Sequence, residues 1–173
     1  MKKILVTGGT GFIGSHMCLA LLEKGYKVVV IDSLVNSNSK SLKKVLEICK
    51  SKKLKVEDKL TFYKCDLRDK QSIEKVFLDS NKNDQAIDGV IHFAGIKKVD
   101  ESIKNPILYW DTNIISSLNL LKVMDKNNCK TIVFSSSATI YGNANKELID
   151  ENQPLKPINP YGNSKLAIET ILT

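Results

Sequence analysis

Tyr161 and Lys165 stand four residues apart in PYGNSK (160–165), a spacing that puts both side chains on one face of a helix. A free tyrosine has a pKa near 10 and is a poor base at neutral pH, and lowering that value by about three units takes ~4 kcal/mol. A cation about 4 Å away supplies ~4 kcal/mol at an effective dielectric of 20, so Lys165 is the expected source of that preference. A second feature joins the pair. Ser135, Ser136 and Ser137 close an apolar run in TIVFSSS (131–137). Buried hydroxyls need partners, so three of them at the end of a strand are costly as mere core residues. Alternation along a strand directs Ser135 or Ser137 to the crevice of Tyr161. A serine there holds a substrate hydroxyl whose proton passes to the tyrosine.

Near the start of the chain, VTGGTGFIGSH (6–16) spaces Gly8, Gly11 and Gly14 three residues apart. The triplet follows an apolar run and opens a helical pattern, the context of a phosphate-binding turn in a βαβ unit. Glycine there permits a tight turn, close approach of backbone to a pyrophosphate, and close packing of helix on strand. The helix N-terminus adds N–H donors and partial positive charge. Asp32 ends the next apolar run, where a dinucleotide fold places a carboxylate on the adenosine ribose 2′-hydroxyl. Such a carboxylate repels a 2′-phosphate, so the expected cofactor is NAD rather than NADP. Asp66, ending the third run, is a weaker candidate on the adenine side.

The elements that must position these residues alternate. Short apolar runs at KILVT (3–7), KVVVID (27–32), LTFYKCD (60–66), GVIHFAG (89–95) and TIVFSSS read as strands. Helical patterns follow Ile13 as far as Gly25, cover SNSKSLKKVLEICKSKK and KQSIEKVFLDS (70–80), run from Asn105 to Asn127, and start again at NPYGNSK. This order predicts a Rossmann-type α/β domain over residues 1–173, with a doubly wound parallel sheet covered on both faces. The stretch GNANKELIDENQPLKPINP (142–160) reads either as a surface loop or as a loop bordering the active site. The pattern breaks off inside the last helix. The expectation is therefore a chain truncated before its last strands and its C-terminal substrate domain.

Composition narrows the class. The chain has 173 residues, 42% hydrophobic and 26% charged, close to a soluble globular average. No apolar run approaches the ~18 residues of a membrane helix, and MKKILVTGG lacks the features of a signal peptide. A cytoplasmic protein with no membrane partner is expected. The net charge is +7, carried by scattered lysines with Arg68 the sole arginine, so no nucleic-acid site is expected either. Cys18, Cys49, Cys65 and Cys129 form no CxxC pair, and with only His16 and His92 no metal site is expected. Cys18 and Cys65 read as buried thiols.

TGGTGFIG (7–14), Asp32, the serine cluster and YxxxK together resemble the extended short-chain dehydrogenase/reductase superfamily. Within it, DSLVNS (32–37), VIHFAGIKKVDES (90–102), FSSSATIYG (134–142) and PYGNSKLAIE (160–169) resemble the UDP-glucose 4-epimerase (UDP-galactose 4-epimerase) family. The resemblance implies NAD-dependent interconversion of UDP-glucose and UDP-galactose, through reversible oxidation at sugar C4. It implies Tyr161 as base, Lys165 as its partner on the cofactor ribose, and Ser137 as the substrate-side hydroxyl. It assigns cofactor contacts to Phe12, Ile13, Asp32, Ser33, Asn36, Ser37, Asp66, Leu67, Phe93, Ala94, Lys97, Asn113 and Ser135, beside the glycines. Ser33 replaces an asparagine common in relatives. Association as a homodimer through helices at 105–127 and 160–173 is also implied. Another nucleotide-sugar 4-epimerase remains open. A 4,6-dehydratase is disfavoured, because Ala138 and Thr139 stand where such enzymes carry an Asp-Glu pair. A non-catalytic NAD-binding protein would have no use for Tyr161, Lys165 and Ser137 together. The missing substrate region leads to an expectation that the chain alone binds NAD and turns over little substrate.

Overall fold

The computed structural model describes residues 1–81, 86–143 and 148–173, and the chain falls into two compact units. The first comprises Met1–Ala94 with Asn119–Phe134, and the second Gly95–Leu118 with Ser135–Thr173.

The first unit is built on five parallel strands: β1 (Lys3–Thr7), β2 (Lys27–Asp32), β3 (Leu60–Lys64), β4 (Gly89–His92) and β5 (Ile132–Phe134). Their order across the sheet is β3-β2-β1-β4-β5. Val28 and Val30 project to one face and Val29 and Ile31 to the other, as the two-residue period of a strand requires. On the first face Val6, Val28 and Val30 pack with Cys18 and Leu22 of α1 (Phe12–Glu23) and with Leu42 and Val45 of α2 (Lys40–Ser51). On the second face Leu5, Ile31 and Val90 meet Ile73 and Phe77 of α3 (Lys70–Asn81) and Leu120 and Val123. The sheet is thus sandwiched, which explains why β1 and β2 read as unbroken apolar runs. Gly25 follows α1 at φ +83, the left-handed conformation that ends a helix and starts the turn into β2. All four cysteines are buried free thiols, and burial pushes Cys18 up to about 12 and Cys65 to about 11. Among the described residues no helix is long and apolar enough to cross a membrane.

The second unit is helical: α4 (Val99–Lys104), α5 (Pro106–Tyr109), a π-helical segment (Trp110–Ile115), the start of α6 (Ser116–Lys126), a 3-10 turn (Ala138–Tyr141) and α7 (Pro160–Leu172). Asn159 caps α7 by accepting from the Gly162 N–H at 2.8 Å, and Pro160 occupies the first helical position.

Three expectations need correction. The span 105–127 is not one α-helix, because the wider π-helical segment interrupts it between α5 and α6. Helix α4 has no counterpart in the sequence reading, since six residues are too few to show a periodicity. The fifth strand stops at Phe134, because its partner β4 stops at His92 and the two are the last paired residues. The three serines therefore follow the strand, and strand alternation does not orient them. Part of the 142–160 stretch lies outside the described residues, and the rest forms no helix or strand before Pro160.

Phe77 is among the largest fully buried side chains. Phe77→Ala should lower unfolding stability by about 3–5 kcal/mol, measured by urea denaturation.

Candidate functional site

In the first unit the turn after β1 carries the glycines. Gly8 has φ +67, a conformation that L side chains rarely adopt, and a Cβ there would lie 2.8 Å from the Ala94 backbone nitrogen. A Cβ on Gly14 would lie 2.2 Å from the Gly8 carbonyl oxygen, so the first turn of α1 rests directly on the loop before it. Gly11 is the N-cap of α1 and supplies no side-chain cap, leaving the first N–H groups of the helix as donors without intrahelical partners. Phe12 and Ile13, which begin the helix, are 79% and 56% exposed despite being apolar.

Asp32 is buried at the end of β2, and its carboxylate organises the neighbouring loop. Oδ1 accepts from the Leu34 N–H and the Ser37 hydroxyl, both at 2.9 Å, and Oδ2 accepts from the Thr10 N–H at 3.1 Å. Ser37 spends its one hydrogen on Asp32, so in the 2.7 Å contact between Thr10 Oγ1 and Ser37 Oγ the threonine donates. Ser41 closes the arrangement by donating to the Thr10 carbonyl at 2.8 Å. Leu34 sits at φ +62, a strained conformation for leucine that the hydrogen bond to Asp32 helps hold. A carboxylate offers about four acceptor positions, so Oδ2 keeps capacity for one more donor. Ser33 and Ser37 are half-buried and Asn36 is exposed.

Asp66 is committed to Arg68. It accepts from the Arg68 N–H at 2.9 Å and from the guanidinium at 2.7 and 3.2 Å, and that contact holds its carboxyl below the usual range. The side chain of Asn119 donates to the carbonyls of Leu67 and Arg68, fixing this turn from α6. At the end of β4, the Ala94 N–H donates to the Thr7 hydroxyl, which also meets His92 Nδ1 at 2.6 Å. Phe93 and Ala94 are half-buried there.

In the second unit α7 carries Tyr161 and Lys165, both buried. The Lys165 ammonium donates to the Ser135 carbonyl at 2.8 Å and lies 6.0 Å from the centroid of the Tyr161 ring. Desolvation lowers the lysine to about 8, so it remains mostly protonated at neutral pH. Ser137 caps the 3-10 turn, accepting from the Thr139 N–H at 3.3 Å and the Thr139 hydroxyl at 2.9 Å. Both contacts use lone pairs and leave the Ser137 hydrogen to donate elsewhere. Asn113, in the π-helical segment, clamps Ile96 at two points: Oδ1 accepts its N–H at 2.9 Å and Nδ2 donates to its carbonyl at 3.1 Å. Nδ2 also donates to Ser164 Oγ, which in turn donates to the Tyr161 carbonyl at 2.7 Å. Asn113 thus ties the segment leading to exposed Lys97 to the helix of Tyr161.

Sequence reasoning passed over Thr10, Ser164 and Tyr109. Ser164 lies between Tyr161 and Lys165 in the motif itself, and its position was the available signal. Thr10 acts through its backbone and a hydroxyl contact that no spacing announces.

A family model described as GDP-mannose 4,6 dehydratase matches residues 5–173. The UDP-glucose 4-epimerase 2 of Arabidopsis thaliana is 46% identical over 172 residues, covering 98% of this chain and 46% of that protein. A crystal structure of UDP-glucose 4-epimerase from Bifidobacterium longum in complex with NAD+ and UDP superposes with TM-score 0.89 at 45% identity, covering 99% of this chain and 48% of that one. The UDP-Glc/GlcNAc 4-epimerase from Campylobacter jejuni superposes with TM-score 0.85 at 31% identity, covering 99% and 48%. The chain spans about half the length of the curated relatives it matches.

Two predictions follow from the geometry. In an ordinary helix an alanine is worth about 1 kcal/mol over glycine. Gly14→Ala should instead lower the melting temperature, because its Cβ meets the Gly8 carbonyl. For Lys165, the folded chain gives up its proton near pH 8 while the unfolded chain holds it to 10.5, so stability rises with pH across that window. Urea unfolding should show the wild type gaining about 2 kcal/mol on Lys165→Met between pH 7 and pH 10. Matched by that model over residues 5–173 and by relatives at 46% identity along 98% of its length, the chain belongs to the extended short-chain dehydrogenase/reductase superfamily, in the family described by the GDP-mannose 4,6 dehydratase model.

Proposed function

We propose that this chain carries the NAD-binding and catalytic residues of a UDP-glucose 4-epimerase. The observation that carries the reading is the Tyr161–Lys165 pair. Both side chains are buried on one helix, and the ammonium is anchored on the carbonyl of Ser135, two residues before Ser137. Relatives of that name at 46% identity along 98% of the chain support the substrate class.

The residues fit NAD. Gly8 and Gly14 keep the turn free of side-chain carbons, and the uncapped start of α1 offers N–H donors to a pyrophosphate. Asp32 accepts the ribose hydroxyls through the capacity left on Oδ2 and repels a 2′-phosphate. Phe12, Ile13, Ser33, Asn36, Ser37, Asp66, Leu67, Phe93 and Ala94 line the adenosine and pyrophosphate portion. Lys97 supplies a cation for the pyrophosphate, and Asn113, Ser135, Tyr161 and Lys165 serve the nicotinamide portion. Asp66 and Asn113 do so with most of their polar atoms already engaged, so their part is chiefly to shape the backbone around them. NAD supplies hydride acceptance and return at the sugar C4, with no net oxidation.

The chain's own residues move and hold the proton. The Ser137 hydroxyl donates to the sugar 4-oxygen and orients it. Tyr161 takes the 4-hydroxyl proton as C4–H is broken, and the Lys165 cation stabilises the phenolate. The 4-keto sugar then presents its other face, and Tyr161 gives the proton back as the C4–H bond re-forms. Ala138 and Thr139 carry no titratable group, which supports epimerisation over elimination of water.

We further propose a homodimer in the cytoplasm. Ile103, Ile107, Leu108, Trp110 and Ile115 are exposed apolar side chains within one short stretch, with Ile107 82% exposed, and a second copy is their proposed cover. The four unpaired thiols support a reducing compartment.

NMR of UDP-galactose incubated with the protein carrying this chain should show UDP-glucose appearing. Tyr161→Phe should slow that conversion by about 10²–10⁴-fold. A near-normal rate removes Tyr161 from the role of base.

A further inference from the structure

Tyr109 is the one buried residue of its helical turn. Pro106, Ile107, Leu108 and Trp110 beside it are exposed, while Tyr109 itself is 0% exposed. A buried phenol needs a partner, and its hydroxyl donates to Glu101 Oε2 of α4 at 2.9 Å. The rings of Tyr109 and Tyr161 then meet edge to face, with centroids 6.3 Å apart and planes at 76°. Such edge-on pairs favour one mutual orientation.

From this geometry we propose that Glu101 and Tyr109 are a positioning pair for Tyr161: the carboxylate tethers the Tyr109 ring, and the T-shaped contact with that ring fixes the plane of the Tyr161 phenol. The backbone of Tyr161 is held separately, through its carbonyl, by Ser164 and Asn113. Those hydrogen bonds act on the main chain, whereas the contact with Tyr109 is made by the phenol ring itself. Desolvation, with the Glu101 carboxylate adding to it, pushes the Tyr109 phenol up to about 12. Tyr109 therefore stays neutral and keeps donating to Glu101 throughout the range in which an enzyme works.

The inference rests on the proposed role of Tyr161, and its test is kept separate from turnover. In the chain labelled with ¹³C at tyrosine Cε, the Tyr161 signals are identified by their loss in Tyr161→Phe. Relaxation dispersion then gives the ring-flip rate. Glu101→Ala should raise that rate about two- to tenfold, the range set by the worth of an edge-on pair. Glu101→Gln, which keeps an acceptor for the Tyr109 hydroxyl, should restore it to within about twofold of the wild type. Unchanged signals from Tyr26 and Tyr63 of the first unit and Tyr141 of the second report an intact fold. If Glu101→Ala does not fold, Tyr109→Phe keeps the ring, cuts the tether and should show the same rise. A Tyr161 flip rate unmoved in the variant that folds overturns the proposal, as does failure of Glu101→Gln to restore it. A Tyr161→Phe enzyme with normal turnover would remove the catalytic role and leave the ring result standing.

Discussion

The start of α1 rests on the carbonyl of Gly8 with no space for one side-chain carbon between them. That close approach determines most of what surrounds it. It brings the first turn of the helix, with its uncapped N–H groups, directly onto the loop before it. The loop after β2 is stabilised from the end of its own strand. The Asp32 carboxylate does this by accepting from Thr10, Leu34 and Ser37 together. One residue thus serves structure and proposed recognition at once. The strained Leu34 and the Thr10–Ser37–Ser41 hydroxyl contacts are the means by which the carboxylate is held in place.

The second unit is organised around a buried cation. An ammonium out of water is unfavourable, and Lys165 responds with a lowered affinity for its proton while keeping a carbonyl partner on Ser135. It stays charged at neutral pH, close to the Tyr161 ring. The interruption of the helix at Trp110–Ile115 belongs to the same design. A π-helical segment re-aims the residues within it, and here it presents Asn113 to Ile96 and Ser164.

Much of this was legible in the residues themselves. Strands β1 and β2 were readable to the residue because their valines and isoleucines are buried on both faces, and Gly25 marked the end of α1. The glycine triplet, Asp32 and YxxxK were legible because each rests on local backbone geometry. The strand end at Phe134 was not, since pairing with β4 sets it and the apolar pattern does not. The π-helical segment escaped notice because one extra residue per turn barely disturbs a helical stripe. The Glu101–Tyr109 contact joins two short helices across a proline, and no periodicity links them.

The central claim is that the glycine turn and Asp32 make this chain a site for NAD in preference to NADP. Calorimetric titration of the chain with NAD+ and with NADP+ tests it most directly. The account predicts that NAD+ binds at least about tenfold more tightly, a difference of ~1.4 kcal/mol, because the buried carboxylate repels the 2′-phosphate. Equal affinities, a preference for NADP+, or no binding of either would contradict it.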